Sequence, residues 1–170
     1  MAVITTSRLI LRWFSYSDAE AMAAVFQDPD VMGFGDGVQS QEWISNWISQ
    51  AKEIYQNNPG WGPLALVQKG TEEPFGYCGL FYYPDICGQA ETEIGYRLAK
   101  SCWGFGYATE AVSAVKNYAF DTLGLTRVVS IIDPGNVASV RVAKKVGMQF
   151  EQEVMLEGYS HPDHVYVATQ

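Results

Sequence analysis

The chain has 170 residues and a formal net charge of -8 at pH 7, with 48% hydrophobic and 14% aromatic residues. That length fits one domain over residues 1–170 with a core of its own, and that composition excludes disorder. A chain this acidic repels phosphate backbones and anionic lipid, which argues against nucleic acid and membrane surfaces as partners and favours cationic ones.

Three cysteines, Cys78, Cys87 and Cys102, are odd in number and widely spaced. They match neither a disulfide framework nor metal-ligand spacing, so no metal is expected. No apolar run is long enough to span a bilayer. The opening MAVITTSRLILRWF lacks a charged segment followed by a long apolar one, and the expected compartment is the cytoplasm.

Residues 4–14 read as a strand, with Leu9, Leu11 and Trp13 alternating with Arg8 and Arg12. Ser17-Asp18 looks like a helix start, Ala19–Gln27 is helical in composition, and Asp28-Pro29 is expected to end that helix. A loop follows at Gly33–Gly37. The next helix covers about 40–57, where Trp43, Ile44, Trp47, Ile48, Ala51, Ile54 and Tyr55 form one stripe. On that pattern Trp43 and Trp47 belong to the core. Strands near 62–68, 74–83 and 90–99 have hairpin-length connections, which predicts an antiparallel meander.

After Gly106 the period changes to that of a helix running to Thr122. Then come a strand at 126–132, a turn at Asp133-Pro134-Gly135, a helix at 136–146, and strands near 149–156 and 163–169. The order βααβββαβαββ mixes a meander with βαβ crossovers. It predicts an α/β (α+β) fold with a mixed, mostly antiparallel sheet of about seven strands and about four helices.

The segment EIGYRLAKSCWGFGYATEA, Glu93 to Ala111, runs from a strand through a Gly-x-Gly turn, Gly104 and Gly106, directly into a helix. The first turn of a helix offers unpaired N–H groups and the positive end of the dipole, and glycines let a ligand approach the backbone, so this geometry suits a pyrophosphate. A dinucleotide fingerprint would need a small residue where Thr109 stands, and a P-loop would need Gly-Lys-Ser/Thr. A tight turn with two left-handed glycines and no ligand is the alternative reading.

Here the chain resembles a known family. WGFGYATEA is similar to the acyl-CoA pyrophosphate loop of the GCN5-related N-acetyltransferase (GNAT) superfamily. NVASVRVAKKVGM, Asn136 to Met148, is similar to that superfamily's second signature, and TSRLILRWFSYSDAEAM and HPDHVYVAT resemble the ends of its ribosomal-protein N-terminal acetyltransferase (RimJ/RimL-like) branch. Two positions depart from the pattern. Ser101 stands where the loop usually begins with Gln or Arg, with Lys100 beside it as a source of positive charge. Ala143 stands where the superfamily often has a Tyr general acid, which that branch also lacks.

The resemblance implies an acetyl-CoA-dependent enzyme transferring acetyl directly to a primary amine in a ternary complex. The acceptor would be a protein N-terminus or a small amine, and a homodimer stays open. An acyl-CoA-binding sensor or subunit without turnover is the alternative. Amine acetylation needs a carboxylate, often through water, to take the ammonium proton. By resemblance that group is Glu93, with Glu91 on the same face; a solvated strand edge is the other reading of both. The implied oxyanion donor is a backbone N–H between Ile94 and Tyr96, where Gly95 suits a bulge.

The implied acetyl-CoA contacts are Ile94, Tyr96 and Leu98 along the strand, and Gly104, Phe105, Gly106, Tyr107 and Ala108 at the turn. Asn136 and Ser139 complete them. Ser139 would also hydrogen-bond the leaving thiolate, unless it is only a first-turn capping residue behind Asn136. Met32, Phe34 and Asp36 would wall the acceptor cavity. Arg141, Lys144 and Lys145 suit either the helix dipole or nucleotide phosphates. A ping-pong route through Cys102 lacks a histidine nearby in sequence.

Overall fold

The computed structural model describes residues 2–35 and 37–170. Its strands are β1 (Ala2–Thr5), β2 (Leu9–Arg12), β3 (Gly62–Gln68), β4 (Pro74–Ile86), β5 (Gln89–Leu98), β6 (Arg127–Ile132), β7 (Gln149–Val154) and β8 (Asp163–Thr169). They form one eight-stranded sheet in the order β1-β2-β3-β4-β5-β6-β8-β7. All neighbours are antiparallel except β5 and β6. The helices are α1 (Ala23–Phe26), α2 (Pro29–Met32), α3 (Gln41–Asn57), α4 (Tyr107–Asp121) and α5 (Val137–Lys145). The mixed, mostly antiparallel α/β architecture is the expected one.

The expected strand over 4–14 divides into β1 and β2. The Thr6 N–H donates to the Leu9 carbonyl at 3.0 Å and the Leu9 N–H to Thr6 Oγ1 at 2.9 Å, closing a turn. The tip of that turn is held by Glu110 on α4, which accepts from Thr6 Oγ1 at 2.6 Å and from the Arg8 backbone at 3.0 Å. Asp28-Pro29 likewise starts a helix instead of only ending one. Asp28 accepts from the Asp30 N–H at 2.8 Å, and Pro29 occupies the first helical position of α2. Between them, these two corrections account for the extra strand and the extra helix.

The core collects Leu9, Leu11, Leu64, Leu66, Leu80 and Ile94 from the sheet with Ala111, Val112 and Val115 of α4. On β4 and β5 the even-numbered residues Cys78, Leu80, Ile94 and Leu98 are buried. Tyr77, Phe81, Glu93 and Arg97 therefore face the other side, consistent with the register Tyr77↔Arg97 and Phe81↔Glu93. Ile44, Ile48, Ala51 and Tyr55 are the buried stripe of α3. No helix among the described residues is long and apolar enough to cross a membrane.

The site depends on where two strands part. β5 and β6 share one register pair, Glu93↔Val129. Past it, side chains take over from the ladder: Ser130 Oγ donates to the Ile94 carbonyl at 2.9 Å, and the Ile131 N–H donates to Glu93 Oε1 at 3.3 Å. β8 then pairs with β6 along its whole length, from Arg127↔Thr169 to Ile132↔His164, which fixes β6 in its divergent course.

Candidate active site

A cavity of about 470 Å³ opens where β5 leaves β6. Its wall includes Glu93, Gly95 and Arg97 from one face of β5, and Ile94 and Tyr96 from the other. Residues adjacent in a strand point to opposite faces, so one cavity can reach both only through the gap between the strands. Asn136 and Ser139 border it from α5, Met32 and Phe34 from the segment after α1, and Trp43 and Trp47 from α3. Asp36 lies outside the described residues.

Glu93 and Ser139, expected as the chemical pair, line this one cavity. Ser139 sits in the first turn of α5, where its N–H donates to the Asn136 side chain at 3.1 Å. Its Oγ accepts a hydrogen bond from the Tyr96 hydroxyl at 3.0 Å. Burial pushes the Tyr96 hydroxyl up to about 12 despite that bond, so Tyr96 stays protonated and remains a donor. Burial also raises the Glu93 carboxyl, against the Ile131 N–H, the Tyr83 hydroxyl and the charge of Arg97, which favour ionisation. Nearby Asp163 adds to the rise. A carboxyl displaced upward by burial is a stronger base than a free one.

Glu91 shares the Glu93 face but is otherwise engaged. It is 4% exposed and accepts from Arg127 Nη2 at 2.8 Å, and Arg127 also bridges to Glu151 at 2.6 Å. It lies outside the cavity wall. Gly95 forms no bulge: the β4–β5 register is unbroken from Gly76↔Leu98 to Tyr83↔Glu91. A Cβ at Gly95 would sit 2.9 Å from the Phe81 ring, so glycine is needed there to let Phe81 cross the strand. Trp43 and Trp47, expected in the core, are half-buried and wall the cavity with Phe26, to which their rings pack at 5.2 and 5.0 Å. The helical stripe was wide enough to include both core and cavity positions.

The Gly turn does not line the cavity. Gly104 and Gly106 both adopt left-handed backbone, with φ of +81° and +82°, and Gly106 is the N-cap of α4. A Cβ at Gly104 would meet nothing within 4 Å, and Gly104, Phe105 and Gly106 are exposed. The N-terminal N–H groups of α4 therefore face an open approach.

The loop is braced by Arg8, just before β2. Arg8 Nη1 donates to the Phe105 carbonyl at 2.9 Å, its Nε to Glu110 at 2.6 Å, and its guanidinium lies 4.7 Å from the Tyr107 ring centre. Burial alone would raise the Glu110 carboxyl, but hydrogen bonds from Thr6, Arg8 and Ser7 overcome it and hold the group at about 2. Leu98 is in the core, and its carbonyl accepts from the Trp103 indole at 2.9 Å. Lys100 pairs with Asp30. Arg141, Lys144 and Lys145 are exposed on α5. His161 and His164 engage Asp133 and Glu153.

The sequence reading missed Tyr83, Arg97, Ser130, Asp133 and Asp163, all on the cavity wall. Alternation along β5 from Glu93 would have found Arg97. Asp133 reads as a turn residue and Asp163 as the start of the last strand, and only the fold brings them together.

Residues 8–149 match the family model described as an acetyltransferase (GNAT) domain. The chain is 33% identical over 164 residues to the N-acetyltransferase YoaA of Bacillus subtilis, covering 94% of this chain and 88% of that one. A GNAT-family acetyltransferase from Bacillus anthracis has the same fold with a TM-score of 0.82 and 27% identity, over 98% of this chain and 97% of its own. The ribosomal L7/L12 N-acetyltransferase RimL, solved with coenzyme A, superposes with a TM-score of 0.78 at 20% identity, over 99% and 98% of the two chains.

Proposed function

The chain belongs to the GNAT family and is an N-acetyltransferase, and we propose that it takes acetyl from acetyl-CoA and passes it directly to a primary amine in a ternary complex. One observation carries this reading: Glu93 and the Ser139–Tyr96 pair face a single cavity from opposite faces of β5. That arrangement suits a base and an acid acting from the two sides of one reacting carbon. The donor's phosphates fit the open, N–H-rich turn at Gly104–Ala108, and the solved RimL complex holds coenzyme A on the same fold.

The acceptor arrives as an ammonium, since an alkylamine has a pKa near ~10. Glu93 takes one proton from it, directly or through one water, and the neutral nitrogen then attacks the thioester carbon. Backbone N–H groups of β5 at the gap, between Ile94 and Tyr96, meet the oxygen as charge develops on it. The C–S bond then breaks as the nitrogen gives up its second proton to water, leaving the neutral amide and the thiolate. Ser139 already accepts from Tyr96, so its own hydroxyl hydrogen is free to turn to the leaving sulfur. The aromatic wall of Phe26, Trp43, Trp47 and Phe81 excludes water and presents ring faces to a cation. Met32, which accepts from Arg97 Nη1 at 2.7 Å, and Phe34 border the acceptor side.

Free-thiol release from acetyl-CoA in the presence of peptide and small-molecule amines tests the proposal. Amine-dependent release that falls at least ~10-fold in Glu93→Gln and Ser139→Ala is expected. Coenzyme A binding without release for any amine would leave an acyl-CoA sensor.

A further inference from the structure

Arg12, Arg97 and Arg127 are half-buried, and they are not equivalent. Arg12 holds Asp18 at 2.7 Å, and Arg127 holds Glu91 at 2.8 Å and Glu151 at 2.6 Å. Arg97 holds no carboxylate among the described residues. Its hydrogen bond runs from Nη1 to the Met32 sulfur at 2.7 Å, and a thioether is a weak acceptor. A guanidinium drawn partly out of water without an anion is costly, and Arg97 lacks the compensation that Arg12 and Arg127 receive.

The place of this unpaired fork is specific. Arg97 shares a face of β5 with Glu93 and lines the same cavity, where it is the one cationic side chain among the described residues. Its charge is felt at the Glu93 carboxyl. The buried side-chain atoms left without a partner are Trp13 Nε1 and Asp163 Oδ1, so the spare N–H groups of Arg97 are not sealed in protein and stay open to the cavity. Room for the fork is kept by Gly35, where a Cβ would overlap Arg97 Nη2.

We propose that the acceptor is an amino acid, its carboxylate held by the Arg97 fork while its amine reacts at Glu93. This names the acceptor of the acetyl transfer proposed above and rests on that reading for the role of Glu93. A planar carboxylate matches two parallel N–H donors of a guanidinium, and its single charge is what one arginine balances. A phosphate would bring more negative charge to a wall that already carries Glu93, Asp133 and Asp163. Four residues on a strand span about 13 Å, and a glutamate and an arginine are long enough to narrow that gap to a small zwitterion. The rings of Phe26, Trp43, Trp47 and Phe81 suit an apolar side chain, for which the cavity of about 470 Å³ has room.

The test compares leucine, phenylalanine and β-alanine, each against its own amide, which keeps the amine and removes the anion. Binding is measured by calorimetry on the full chain with coenzyme A present, and thiol release from acetyl-CoA is followed in parallel. In the pair that binds best, the wild type should prefer the acid at least ~10-fold, and Arg97→Gln should bring acid and amide to within about threefold of each other. A variant that merely damaged the fold would weaken both members of a pair alike. Gly35→Ala displaces the fork but keeps its charge, and should lower the preference at least about threefold.

Equal affinity for acid and amide in every pair would overturn the proposal, as would a preference that survives Arg97→Gln. A preference lost in Arg97→Gln but whole in Gly35→Ala would reduce Arg97 to a distant charge and overturn the docking. Discrimination seen only with peptides, between a first residue of Asp and one of Asn, would overturn the amino-acid assignment in favour of a protein N-terminus. A preference in binding without thiol release would support the carboxylate subsite and sink acetyl transfer, while thiol release with no preference for the acid would do the reverse.

Discussion

The Tyr96 hydroxyl donates to Ser139 Oγ at 3.0 Å, joining β5 to the first turn of α5 across the gap where β5 and β6 separate. A serine whose oxygen already accepts one hydrogen bond has its own hydrogen to give elsewhere, and the cavity is where it points the chemistry. Tyr96 thus acts through Ser139 as a positioning residue.

Non-additivity tests that relationship. Tyr96→Phe should lower kcat by less than Ser139→Ala does, and the double variant should be no worse than Ser139→Ala alone. Losses that add in steady-state kinetics would mean that Tyr96 works independently of Ser139.

The Arg127 network predicts unequal costs on its two sides. Arg127→Ala strands Glu91, which is 4% exposed, as an unpaired buried carboxylate, and should cost about 3 kcal/mol. Glu151 is 40% exposed in its side chain, and Glu151→Ala should cost under ~1 kcal/mol. Urea unfolding of the two variants measures the difference.

Acid sensitivity should trace to Glu110. Its folded pKa lies at about 2 against an ordinary 4.5, so its contribution is complete above 4.5 and is lost as pH falls towards 2. Melting temperature against pH should be flatter over that window in Glu110→Gln, which keeps the shape of the side chain but cannot ionise. Glu93 has the opposite sign. Its carboxyl is raised by burial, so the folded state holds the proton more tightly than the unfolded one, and the stability this gives is lost as pH rises through the folded value. Glu93→Gln should therefore relieve a loss of stability on the neutral side.

Backbone conformation can be separated from ligand approach at the Gly turn. Gly104→Ala meets nothing within 4 Å but must adopt φ of +81°, a strain of about 1 kcal/mol. Coenzyme A affinity that falls by more than ~10-fold, measured by calorimetry, would exceed that strain and report a ligand lying where the Cβ projects.

The elements from α3 onward were legible because their periods are clean and their ends carry strong signals, such as Asn58-Pro59-Gly60 after α3 and Gly147 after α5. The turn at Thr6 was not, because Glu110 on α4 holds it, a partner far along the chain. The same limit applies to the site. Glu93, Ser139 and the glycines sit in local patterns that a sequence displays. Asp133, Asp163 and Tyr83 acquire meaning only when β4, β6 and β8 bring them around one cavity. Trp47 shows the intermediate case, since its helical spacing is real but a helix face has an edge, and this edge borders the cavity.

Glu93 as the base that neutralises the ammonium is the central claim, and an acceptor that arrives already neutral tests it most directly. An alkylamine must lose a proton at pH 7, whereas a hydrazide is already neutral. Glu93→Gln should lower kcat/KM for the alkylamine at least ~10-fold and leave the hydrazide within about twofold of wild type. Equal losses on both acceptors, or no loss on the alkylamine, would contradict the role assigned to Glu93.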